Sequence, residues 1–162
     1  MKQKVAIELG TRKRVFICSP LRPRKGTPKE QRRELFHNLE LVSLACRYAV
    51  QHGCNPMAPH LLIPAFLDDT DAEERQVGIE LGIDWLMDCD ELWVIGERIS
   101  EGMQNEIDMA LDLDIPVIRI GFIGDPIRAL ESLVFEENKD ADSEEDETDE
   151  DDEEEGLNYD GD

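Results

Sequence analysis

The side chains best suited to chemistry lie in Ile99-Ser-Glu-Gly-Met-Gln-Asn-Glu-Ile107. A small hydroxyl at Ser100 and a glycine at Gly102, placed at a helix start, expose backbone N–H groups that favour an anion, so a phosphate fits there. With a rise of about 1.5 Å per residue, Glu106 stands about 6 Å further along the helix axis than Gly102. That is close to the span of one sugar between a 5′-phosphate and its anomeric carbon. The same spacing also describes a plainly capped helix with a solvated glutamate, and spacing alone leaves both readings open.

Three further groups bear on that segment. Ser19 and Arg22 follow a buried apolar run, and Arg22 could add a charge-assisted contact to the same phosphate. It also belongs to a basic cluster with Arg12, Lys13, Arg14, Arg24 and Lys25. His60, after a second short run, is placed to hydrogen-bond a sugar hydroxyl or a base edge, or to serve structure alone. Gly78 and Gly82 lie four apart on one helix face, each about 1 kcal/mol less favourable there than alanine, so something approaches closely: a ligand, a neighbouring helix or a subunit. Arg75, one turn earlier, could point into the same space and partner an anion.

These residues need elements to hold them. Val15-Phe-Ile-Cys18, stopped by Ser19-Pro20, reads as a buried strand, and Val5 to Leu9 as an extra edge strand. Thr27, Pro28 and Glu30 supply an N-cap, a first-turn proline and a capping-box acid for a helix that Gly53 ends. Cys54 to Ala58 is a second strand, followed by a long loop from Pro59 to Asp69. Asp71 with Glu74 caps a second helix with an apolar face of Val77, Leu81, Trp85 and Leu86, ending near Cys89. Leu92 to Ile95 is a third strand, closed by Gly96. Ser100 opens a helix to about Leu113, Pro116 to Ile120 is a fourth strand, and Asp125-Pro126 starts a final short helix toward Val134. This alternation predicts an α/β fold, a flavodoxin- or Rossmann-like layered parallel sheet with helices on both faces. In such sheets ligands bind beyond the carboxyl ends of the strands, where Ser19 to Arg22, Pro59-His60 and Gly96 to Glu106 fall.

Charge divides the 162-residue chain as sharply as the pattern does. Of a net charge of -22, residues 136–162 carry -16, from 17 acids against Lys139 alone, and the preceding 135 residues only -6. Residues 1–33 hold 11 bases and 2 acids, residues 34–135 hold 5 bases and 20 acids. The expected organisation is a basic segment at 1–13, one α/β domain at 14–135 and a disordered polyacidic tail at 136–162, whose composition cannot bury enough surface to offset its ordering entropy. No apolar run is long enough to span a bilayer and none forms a signal-peptide core, so a cytoplasmic protein without membrane contact is expected. Cys18, Cys46, Cys54 and Cys89 form no CxxC pair, and a zinc site from Cys46, His52, Cys54 and His60 matches no usual ligand spacing. No metal and no cofactor is therefore expected. Direct nucleic-acid binding is not expected either, since the basic segment lacks interleaved aromatics. The tail is suited to contact a basic partner or the protein's own N-terminal segment.

Four segments together resemble a known family: Val15-Phe-Ile-Cys-Ser-Pro-Leu-Arg22, Pro56-Met-Ala-Pro-His60, Leu86-Met-Asp-Cys-Asp-Glu-Leu-Trp-Val94 and Ser100-Glu-Gly-Met-Gln-Asn-Glu106. In order and spacing they look like the nucleoside 2-deoxyribosyltransferase superfamily, nearest its uncharacterised, often phage- or prophage-associated branch of short proteins of the DUF4406 and DUF7768 type. The resemblance covers roughly residues 14–121. It implies that Glu106 is the nucleophile that attacks the anomeric carbon of a (deoxy)nucleoside or its monophosphate, that Arg22 and Ser100 hold the 5′-phosphate, and that His60 is the family's loop histidine. Relatives commonly complete their sites across a dimer interface, so the resemblance is compatible with a homo-oligomer, a state that one chain's sequence does not fix. One departure stands out: the catalytic relatives' aspartate falls on Gly82, and Asp84, two positions on, is rotated by about 200° onto another helix face. The acid that assists the leaving base is thus absent from its usual place. The expected function is N-glycosidic cleavage or transfer on a nucleotide, with a non-catalytic binder that senses or sequesters a nucleotide-derived ligand as the alternative.

Overall fold

The computed structural model describes residues 12–122 and 125–142. The expected edge strand at Val5 to Leu9 and the tail beyond residue 142 lie outside them.

Four parallel strands form one sheet: β1 (Arg14–Cys18), β2 (Asn55–Met57), β3 (Glu91–Ile95) and β4 (Val117–Ile120), in the order β2-β1-β3-β4. Phe16 pairs with Met57 on one side and Leu92 on the other, and Val94 pairs with Arg119. The central strands β1 and β3 are buried on both faces, which is why they read as unbroken apolar runs rather than alternating ones.

Side-chain alternation sends two sets of residues to opposite faces. Val15, Ile17, Trp93 and Ile95 meet Leu41, Val42, Ala45 and Ala49 of α1 (Pro28–Gln51) and Leu130 of α5 (Pro126–Asp142). Phe16, Cys18, Leu92 and Val94 meet Leu86 of α3 (Ala72–Met87) and Met103 and Ala110 of α4 (Glu101–Asp112). Helices therefore cover both faces, as the sequence predicts. The capping box at α1 is also present, with Glu30 N–H donating to Thr27 and the Glu30 carboxylate accepting from Thr27 N–H.

Several local expectations are corrected. The loop from Pro59 contains the short helix α2 (Pro59–Leu62) and a 3₁₀ turn (Ile63–Ala65), because Pro59 and Pro64 sit at first-turn positions where a missing N–H costs nothing. Glu74 does not close a capping box on Asp71; its carboxylate accepts from Asp68 N–H, while Asp71 caps Glu73 and Glu74. The apolar face assigned to α3 is only partly covered: Leu86 is enclosed, Leu81 and Trp85 are half-buried, and Val77 is 46% exposed. Helix α5 runs to Asp142, past the expected end at Val134 and into the segment from residue 136 whose composition predicts disorder.

Candidate functional site

Beyond the carboxyl ends of β1 and β3 a cleft of about 420 Å³ opens between the β1–α1 loop, α2, α3 and the start of α4. Ser19, Arg22, His60, Ser100, Gly102 and Glu106 all line it, so the three loops singled out in the sequence do converge. Arg75 and Gly82 line it from α3. Asp84 does not: it is exposed on another face of the helix, as the two-position rotation requires.

Each side chain is placed by a local device. Ser19 ends β1 almost fully buried, and its hydroxyl lies 2.9 Å from His60 Nε2 at the start of α2. Burial lowers His60 to about 4, so the imidazole is neutral at pH 7 and can only offer hydrogen bonds, not charge. The loop that carries Arg22 is tethered by the buried Asn38 of α1, whose Nδ2 donates to Leu21 O at 3.0 Å. Gly96 leaves β3 at a φ of 97°, a left-handed conformation suited to glycine, and an added Cβ there would stand 3.5 Å from Pro20 and Leu41.

At α4, Ser100 caps the helix by accepting from Met103 N–H at 3.3 Å. The space beside Gly102 is open, with no atom within 4 Å of an added Cβ. The start of α4 therefore lines the cleft beside open space, and the first N–H groups of a helix have no partner within it.

One turn further, Glu106 is largely withdrawn from solvent. Burial raises its carboxyl to about 7, and the neighbouring Cys18 thiol acts in the opposite direction. Cys18 is wholly buried at the end of β1, where its Sγ also approaches Met103 O at 3.7 Å, and burial foremost holds its thiol protonated. Glu106 is thus a carboxyl divided between acid and carboxylate near neutral pH, lining the cleft.

The charges at the mouth differ from expectation. Arg22 donates from Nε to Asp69 Oδ2 at 2.6 Å and from Nη2 to Asp69 O at 2.9 Å, so its guanidinium is held by the α2–α3 loop. Arg98 in turn donates to Arg22 O at 3.3 Å and pairs with Glu34. Arg75 has no side-chain ion pair among the described residues. The two glycines of α3 also separate in role: an added Cβ at Gly78 would meet Ile63 Cγ2 at 3.1 Å, whereas at Gly82 the nearest atom is Pro59 Cβ at 4.0 Å. Gly78 permits close packing, and Gly82 borders open cleft.

Sequence reasoning did not single out Cys18 or Asp69 as site residues. Cys18 reads as one more apolar residue of a buried strand, and Asp69 meets Arg22 only through a contact 47 positions apart. The residues of the zinc arrangement point to different neighbours, with His52 Nδ1 against Tyr48 O and His60 against Ser19. No helix among the described residues is long and apolar enough to cross a membrane.

Sheet order and covered faces define a doubly covered parallel α/β protein with a cleft at the strand ends, the place where such sheets bind their ligands. Among solved structures it is similar to the 2-deoxyribosyltransferase from the psychrotolerant bacterium Bacillus psychrosaccharolyticus, with a TM-score of 0.51 and 17% identity over 69% of this chain and 77% of that one. At that identity the likeness is one of fold. The chain belongs to the family described as a domain of unknown function, DUF7768, whose model matches residues 13–120. No curated protein matches it.

Proposed function

We propose that the cleft binds a nucleoside 5′-monophosphate and that Glu106 attacks its anomeric carbon to break the N-glycosidic bond. The observation that carries this reading is Glu106 itself: a carboxyl drawn out of water, one helical turn from an open, N–H-lined helix start. The fold shared with a 2-deoxyribosyltransferase supports it.

In this reading the first N–H groups of α4, near Gly102, and the Arg75 guanidinium take the phosphate. Arg22 joins them when the phosphate displaces Asp69; an exposed ion pair of this kind is worth only about 0.2–1 kcal/mol, so the exchange is easy. The Ser19–His60 pair offers neutral hydrogen bonds to sugar hydroxyls. Glu106, as carboxylate, forms a glycosyl ester that water or a second base resolves, and Cys18 holds its carboxyl in place.

Incubation with ribo- and deoxyribonucleoside 5′-monophosphates, followed by chromatography of free base, tests the reading. Base release that Glu106→Gln abolishes is expected; release unchanged in that variant, or none from any nucleotide, contradicts it. The apolar α3 wall at Gly82 favours a second reading, a binder that returns its ligand intact. Calorimetry that finds tight binding, with the nucleotide recovered unchanged, would establish that instead.

A further inference from the structure

The two ends of the cleft differ in chemistry. Glu101, Arg22, Arg75 and the start of α4 line the cleft where the reading above puts the phosphate, while Asp69 is held by Arg22 and Glu74 by Asp68 N–H. Met109 stands one turn beyond Glu106, as far past it as Gly102 lies before it to within a residue. A ligand anchored at Gly102 with its anomeric carbon at Glu106 therefore projects its base toward Met109, Ile79, Gly82, Ile83 and Leu86. On this base-facing wall Ile79, Gly82, Ile83, Leu86 and Met109 carry no carboxyl or other acid; the titratable group nearby, His60 beside Pro59, is bonded to Ser19 and neutral through burial, and Gly82 leaves room there for a flat ring.

That wall bears on the leaving group. A neutral purine or pyrimidine departs as an anion unless a group beside it supplies a proton, and such a donor is worth roughly 10²- to 10⁴-fold in rate. A base attached through a positively charged ring system needs none. We propose that the cleft acts on nucleotides whose base is cationic while bound to the sugar, a pyridinium or an N7-alkylated purine. The proposal rests on the reading of Glu106 given above.

The step balances without an acid. A Glu106 carboxylate oxygen bonds to C1′, the C1′–N pair moves into the ring and cancels its positive charge, and the base leaves neutral. Water then replaces Glu106 at C1′, regenerating the carboxylate and releasing one proton to solvent. The apolar wall suits the departing base better than the arriving one, because the ring loses its charge as the bond breaks.

Base release from 7-methylguanosine 5′-monophosphate, nicotinamide mononucleotide and guanosine 5′-monophosphate, compared as kcat/KM on the full chain, tests this. The cationic substrates should exceed guanosine 5′-monophosphate by roughly 10²-fold or more, and Glu106→Gln should abolish all release. Gly82→Asp, which places a carboxyl on the wall where a side chain has room, should narrow that ratio at least ~10-fold by speeding the neutral substrate. Guanosine 5′-monophosphate cleaved as fast as its methylated form, with Glu106 still required, overturns the proposal and leaves the function standing. A ratio that Gly82→Asp leaves unchanged in a folded variant overturns it as well. Absence of release from all three, or release indifferent to Glu106, overturns both.

Discussion

The two faces of the sheet are built to different purposes. On one, α1 and α5 lie close against the strands, and Val15, Ile17, Leu41, Val42 and Leu130 are sealed from water. On the other, α3 touches the core chiefly through Leu86, carries two glycines, and leaves Val77, Ile79 and Met87 each at least 45% exposed. The first face stores the stability of the fold. The second gives up packing to keep a cleft open beside Glu106, the usual arrangement in which a rigid layer carries a site formed by less constrained segments.

Substitutions on the two faces should separate them, and the largest effect belongs to the closed one. Leu130→Ala is expected to cost about 2–5 kcal/mol in urea unfolding, whereas Ile79→Ala on α3 should change stability by less than about 0.5 kcal/mol. Comparable losses at both positions would mean that α3 is as firmly docked as α5.

Next in size is the burial of Glu106. Its folded value of about 7 lies above its ordinary 4.5, so the folded state holds the proton more tightly and the stability associated with protonation is lost as pH rises from about 4.5 through 7. Glu106→Gln removes that penalty: its unfolding free energy should exceed that of the natural protein at pH 8 by an amount on the order of 3 kcal/mol, and match it near pH 4. His60 acts in the opposite window. Its depressed value means stability is present above about 6.5 and lost as pH falls toward 4, so His60→Gln should flatten the acid limb of the unfolding curve.

The glycines give a smaller but cleaner contrast. Gly82→Ala should stabilise the protein by up to about 1 kcal/mol through helix propensity, since its Cβ meets only ordinary contact, while Gly78→Ala should be neutral or destabilising because Ile63 must give way. The smallest effect is expected at the Arg22–Asp69 pair, where Asp69→Asn removes the charge pairing but not the bond to the Asp69 carbonyl. It should cost less than about 1 kcal/mol of stability yet strengthen phosphate binding by loosening the guanidinium.

Much of this was legible in the residues. The strands announce themselves as short apolar runs bounded by Pro20, Gly96 and Pro116, and α1 and α4 by the caps at Thr27 and Ser100, because these are local features with local causes. Topology then carries Ser19, His60 and Ser100 to one edge. What the sequence hid is non-local. Periodicity marks apolar residues along α3 but not which face meets a neighbour, so Val77 reads as core and lies in solvent. Arg22 reads as a free cation because its partner Asp69 is supplied by a distant loop. Cys18 reads as a hydrophobe because only the packing of β1 on α4 brings its thiol to Glu106.

The most direct test of the central claim is intact-protein and peptide mass spectrometry after brief incubation with a nucleoside 5′-monophosphate and acid quenching. The account predicts a mass increase equal to the sugar phosphate without its base, carried by the peptide that contains Glu106 and missing from Glu106→Gln. Free base released with no adduct on that peptide, or an adduct that persists in the variant, would contradict it.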